Sequence, residues 1–234
     1  MVWRNVFLTL VLIAFLGSSA WAQTVIWYLP HPDDETIGMA DSIYQSVMAG
    51  NRNYFIYFTK GEGSLVGRRF KAPDGEVHEL TREEFAQGRV RETLAALNVL
   101  GVEDHQVIFF DFPDGAIPLS AAVETMRYFS TLYPGSIHRT VSQHDPHEDH
   151  KTLARALAQV SSEDESMYPE YFHVYIHRNP VAMESVEKRE VLYPEVKAAA
   201  LAEFWCVDVA NGRFGIASRS TPDLLKEALT SSYE

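Results

Sequence analysis

Two short stretches of this 234-residue chain carry side chains that could hold a cation and move a proton. The first is HPDDE (His31 to Glu35), which follows the apolar run TVIWYL. Three consecutive carboxylates repel one another, and no turn requires them. A divalent cation at that point removes the repulsion. The second is HDPHEDH (His144 to His150). A helix starting there, with Asp145 as cap, Pro146 in the first turn and Glu148 closing a capping box, puts His147 and His150 on one face. That face continues into Leu153, Ala154, Leu157 and Val160, so His150 points the way the buried residues point. A helix N-terminus disfavours an imidazolium and keeps the ring neutral, as a metal ligand requires.

His31, one or two of the aspartates and His150 then make three protein ligands of N and O type. That is the open arrangement of catalytic zinc, with the fourth position left to water. One carboxylate binds the ion, and its neighbour is near enough to take a proton from the water. Each stretch alone has a plainer reading, as acids or polar residues enriched at a helix start. His78, His105, His138, His173 and His177 have no spacing that recommends them. His173 and His177 fall in a strand pattern and read as core or edge residues.

The elements that must position these groups alternate. Residues 24–29, 53–59, 106–110, 136–142 and 171–177 read as strands, rich in β-branched and aromatic residues. Helices are expected from about 37 to Gly50, from Thr81 to Leu100 with a Thr81/Glu84 capping box, over 119–132, and over 144–160. Residues 60–76, with five glycines or prolines, read as a long loop. A helix around 194–204 is the last clear element. This order predicts an α/β, Rossmann-like fold with a mostly parallel sheet and helices on both faces. Ligands in such sheets sit outside the carboxyl ends of the strands. HPDDE follows the first strand, GEG the second, DFPDG the third and QHDPHEDH the fourth, so four polar clusters should converge on one rim.

Composition sets limits. Hydrophobic residues make up 46%, enough for a sizeable core, and the formal charge is −12. That charge argues against a nucleic-acid backbone or an anionic membrane surface as the main partner. Cys206 is the only cysteine, so no disulfide can form within the chain. In the first 22 residues Arg4 is the only charge, Val6 to Gly17 is unbroken apolar sequence, and Ala20-Trp21-Ala22 follows. This matches a signal peptide cleaved before Gln23, which predicts a secreted or extracytoplasmic protein. The apolar run is short of the ~20 residues needed to cross a bilayer. The alternative is an uncleaved membrane anchor. Residues 23–234 are expected to form a single domain.

With these residues in place, HPDDE after the first strand and HEDH opening a later helix resemble the PIG-L/LmbE-like zinc-dependent N-acetylglucosaminyl deacetylases. The resemblance covers about 23–160. TKGEG is similar to the family's loop after its second strand, RVRETLAALNVLGV to its helix carrying R-x-x-E, and FPDG to the segment after its third strand. It implies that His31, Asp34 and His150 bind zinc, with iron as the alternative metal. It further implies that Asp33 is the general base, that His147 stabilises the oxyanion, that Asp149 orients a ligand histidine and that Arg68 contacts substrate. The implied reaction removes an N-acetyl group from an N-acetylglucosamine-type sugar or glycoconjugate. Two other readings stay open: a metal-dependent amidase or phosphoesterase acting on a non-sugar, and a non-catalytic metal- or glycan-binding module. Two residues depart from the family pattern, Pro30 before the first motif and Glu148 between the two histidines. Past about residue 180 the resemblance stops.

Overall fold

The computed structural model describes residues 22–64, 66–72, 74–175 and 187–234. The apolar segment expected to be a signal peptide lies outside them, as does His177. No helix among the described residues is long and apolar enough to cross a membrane.

The frame is a five-stranded parallel sheet of β1 (Thr24–Leu29), β2 (Arg52–Tyr57), β5 (Val107–Phe109), β6 (Ile137–Val141) and β7 (Tyr168–Phe172). The spatial order is β5-β2-β1-β6-β7. β1 takes the centre because it carries no charge and buries every residue after Thr24. Its side chains alternate between two cores. Val25, Trp27 and Leu29 face one, with residues of α1 (Asp34–Met48), α2 (Arg82–Val99), α5 (Pro194–Ala202) and α7 (Pro222–Thr230). Ile26 and Tyr28 face the other, with α3 (Leu119–Leu132) and α4 (Glu148–Glu163). This is the α/β, Rossmann-like sheet with helices on both faces that the alternation predicts. Burying each large apolar side chain contributes roughly 1.5–3 kcal/mol, so two packed layers hold the rim still.

Four expectations need correcting. The stretch read as loop contains a hairpin, β3 (Arg69–Lys71) with antiparallel β4 (Val77–Glu79). Phe70, Ala72 and Leu80 pack there with Phe85, Phe214 and Ile216 as a third core. The last sheet strand runs 168–172 rather than 171–177. It stops because the backbone N–H groups of Val174 and Tyr175 turn to the Asp145 carboxylate, at 3.3 and 3.1 Å. α4 starts at Glu148, with His147 and not Asp145 as its cap. The tail without pattern folds into β8 (Val207–Asp208), β9 (Arg213–Phe214), α6 (Ala217–Ser220) and α7, which buries Leu224, Leu225 and Ala228.

Candidate active site

The four polar clusters do meet beyond the carboxyl ends of the strands. They line a pocket of about 370 Å³ with His31, Asp33, Asp34, Asp114 and His147 around it. Gly63, Ser64 and Gly115 come from the loops after β2 and β5.

The chain leaves β1 through a turn that Asp33 makes in the left-handed region, φ 95° and ψ −28°. It is the one non-glycine residue with positive φ among the described residues. Such backbone costs about 1–3 kcal/mol and persists only when its surroundings fix it. Here they do. The Asp33 N–H donates to Glu35 Oε2 at 3.0 Å, and its carbonyl accepts from the N–H groups of Thr36 and Ile37. The buried Arg89 guanidinium reaches both the Pro32 carbonyl and Asp33 Oδ2. Glu35, the third acid of the run, is therefore a backbone clamp. Burial, partly opposed by the Thr36 hydroxyl, pushes it up to about 8, which takes one of the three adjacent charges away at neutral pH.

Asp34 sits between two imidazoles. Its Oδ2 is 3.1 Å from His31 Nδ1 and 3.3 Å from His150 Nε2, and the two ring centroids are 5.4 Å apart. Donors bonded at ~2.0–2.1 Å to one tetrahedral ion lie ~3.3 Å from each other. His150 Nε2 is buried and has no hydrogen-bond partner. A buried ring nitrogen left open against a carboxylate, beside His31, His147 and His150 whose ring nitrogens lie within 4.8 Å of one another, fits a site for a divalent cation.

Behind each imidazole stands a carboxylate. His31 Nε2 is 3.1 Å from Asp149 Oδ2 and 3.1 Å from Asp114 Oδ1. Asp149 is itself fixed by the N–H groups of Gly115 and Ile117, at 2.7 and 3.1 Å. His150 Nδ1 is 2.8 Å from Asp145 Oδ2, and His173 Nδ1 shares the same carboxylate. Such partners set the tautomer, so the other ring nitrogen is free to bind. They also load the pocket with negative charge. Burial works against a charged His150, yet Asp34 and Asp145 carry its pKa up to about 9. His31 is likewise raised despite burial, by Asp114, Asp149 and Asp34. The neutral ring expected from the helix terminus is therefore not what these carboxylates favour by themselves. A bound cation inverts that preference by taking the proton's place.

Asp33 and His147 face the same pocket. Burial, opposed by Arg89 and helped by Asp34, raises Asp33 to about 6, near the range of a working base. Arg89 and Thr221 both contact Oδ2, at 2.9 and 3.2 Å, so Oδ1 is the oxygen available for a proton. His147 Nδ1 accepts the Asp149 N–H at 3.2 Å, which leaves the proton of the neutral ring on Nε2. Burial and the nearby His31 and His150 hold its pKa down.

Arg68 is placed elsewhere. Its guanidinium donates to the carbonyls of Ser64 and Glu62 and lies over Phe85, stapling its own loop. The site also includes residues that sequence reasoning did not single out. In the sequence Arg89 shows only as part of a helix motif, and Asp145 only as a helix cap. Asp114 carried a weak signal, since DFPDG was expected at the rim. Tyr175, Ser220, Thr221 and Leu224 line the pocket from beyond the recognisable sequence and carried none.

Residues 26–161 match the family described as GlcNAc-PI de-N-acetylase, PIG-L. No curated protein matches the sequence. Among solved structures, an N,N'-diacetylchitobiose deacetylase from Pyrococcus horikoshii superposes with a TM-score of 0.59 at 17% identity, over 98% of this chain and 90% of that one. A 4-carboxy-2-hydroxymuconate hydratase from Pseudomonas putida KT2440 gives 0.59 at 15% identity, over 91% and 92%. A deacetylase of the A40926 pseudoaglycone gives 0.54 at 18%, over 85% and 92%. At these identities the likeness is one of fold.

Proposed function

This chain belongs to the GlcNAc-PI de-N-acetylase (PIG-L) family, and from that premise we propose that it is a zinc-dependent hydrolase that removes the N-acetyl group of an N-acetylglucosamine-type sugar or glycoconjugate. The observation that carries the reading is the placement of Asp33. It stands in the pocket, one residue from Asp34, with one oxygen restrained and the other available. A module that only binds metal or glycan has no need of such a base.

His31, Asp34 and His150 would hold a divalent cation, which would supply the charge that acidifies water and polarises the acetyl carbonyl. Asp33 takes the proton as the water oxygen bonds to that carbon. The Nε2–H of His147 faces the charge growing on the carbonyl oxygen. One such donor is typically worth about 3–4 kcal/mol, on the order of a hundred- to a thousandfold in rate. The proton on Asp33 then passes to the departing nitrogen as the C–N bond breaks, giving acetate and a free amine. Asp149 and Asp145 keep the two ligand rings oriented throughout. The chain is proposed to act outside the cytoplasm, as one domain over 23–234 released from a leader ending at Ala22. N-terminal sequencing of exported material should begin at or near Gln23, and an intact Met1 would refute the cleavage.

The activity test is a panel of N-acetylated sugars, glycoconjugates, non-sugar amides and phosphoesters, with zinc-loaded protein. Acetate should appear from at least one acetylated amino sugar. Turnover confined to non-sugar amides or phosphoesters would overturn the reading.

A further inference from the structure

The pocket has a wall that the family motifs do not supply. Ser220, Thr221 and Leu224 come from the segment that follows β9, more than fifty residues beyond the end of the family match at 161. That segment is hung on one buried side chain. Glu92, fully buried on α2, accepts the backbone N–H groups of Phe214 and Ile216 on Oε1, at 3.2 and 2.8 Å. Its Oε2 accepts that of Ala217 at 3.2 Å. One turn earlier on the same helix, Gly88 makes room: a Cβ there would stand 2.6 Å from Ile216 Cδ1 and 2.8 Å from Phe214 Cδ2. α2 thus grips the segment with a carboxylate and admits it with a glycine.

Four residues past Ala217, Thr221 reaches the base. Its hydroxyl lies 3.2 Å from Asp33 Oδ2 and 3.1 Å from the Ala217 carbonyl, the turn that Glu92 holds. Arg89, next to Gly88, holds the same Asp33 oxygen at 2.9 Å. The restraint on Asp33 therefore comes from α2 twice, once directly through Arg89 and once through the seated segment.

We propose that Glu92 and Thr221 form one positioning unit, in which Glu92 seats the 214–217 turn so that the Thr221 hydroxyl orients the Asp33 carboxylate. The inference rests on the reading of Asp33 as base. It assigns the segment a part in turnover rather than in metal binding. A hydrogen bond to an ionised group typically contributes enough for about a tenfold effect.

The test uses the full, zinc-loaded chain. Thr221→Val should lower kcat about tenfold, with KM within about twofold and zinc content unchanged. Thr221→Ser, which keeps the hydroxyl, should restore kcat. Glu92→Gln retains one carbonyl oxygen but turns an N–H₂ toward backbone donors. It should speed amide exchange at Phe214, Ile216 and Ala217 by at least about tenfold while β1 amides stay protected. Wild-type kcat in Thr221→Val, failure of serine to restore it, or unchanged exchange in Glu92→Gln would each overturn the proposal. A wild type that releases no acetate from any sugar defeats the functional reading instead, and the exchange result still decides whether Glu92 seats the segment.

Discussion

Strand β6 carries a buried histidine near its amino end and leads to another beyond its carboxyl end, and the two behave oppositely. His138 and His150 are both fully buried. His138 meets hydroxyls: Tyr28 at 3.0 Å on Nδ1 and Ser136 at 2.7 Å on Nε2. Burial pushes its pKa down to about 4. His150 meets carboxylates, Asp34 and Asp145, which outweigh the same burial and carry it up to about 9. Burial alone does not mark a functional histidine. The charge of its partners does, and among the described residues the groups that could hold a cation gather at the carboxyl end of the sheet.

That contrast says where single charges should matter most. Asp33→Asn removes the proposed base while keeping a residue that tolerates the left-handed backbone, which alanine does not. It should lower kcat by about 10²–10⁴ with zinc still bound, read by steady-state kinetics and elemental analysis. Activity within tenfold of wild type would strip Asp33 of its role.

Next come the carboxylates behind the proposed ligands. Asp145→Asn and Asp149→Asn leave His31, Asp34 and His150 in place but change what holds the rings. Each should weaken zinc binding about 10–100-fold in a competition titration against a chelator. Affinity unchanged in both would mean that the acids surrounding the imidazoles are there for packing, and the contrast with His138 would lose its meaning.

How much of this was legible follows from where the information lies. HPDDE and HEDH are short, contiguous and chemically odd, and the strand order alone places them on one rim. α3 was legible to the residue, 119–132, because its apolar spacing is regular. Asp145 was misread, since a carboxylate one turn before a helix resembles a cap. Its real partners, His150, His173 and two backbone N–H groups, are set by where β7 ends. Thr221 was invisible, because nothing local to a threonine before a proline says that it touches a residue 188 positions away. Glu92 was visible as half of a motif, but its use as a clamp depends on a segment with no pattern of its own.

The smallest expected effect tests the other end of the sheet. A histidine at about 4 in the fold and about 6.5 in the unfolded chain binds its proton more readily when unfolded. Its contribution to stability is therefore complete above pH 6.5 and falls away as pH drops toward 4. At pH 5 the loss is on the order of 2 kcal/mol. His138→Gln removes the titration while keeping a polar side chain opposite Tyr28 and Ser136. The proposed ligand histidines also titrate on acidification, but their share is common to wild type and variant and cancels in the difference between them, because the two sites share no partner. Urea unfolding at pH 7.5 and pH 5 should thus show wild type losing about 2 kcal/mol more than His138→Gln. Equal losses would mean that His138 owes its neutrality to nothing the fold has to defend, and that the contrast between the two ends of the sheet has no energetic counterpart.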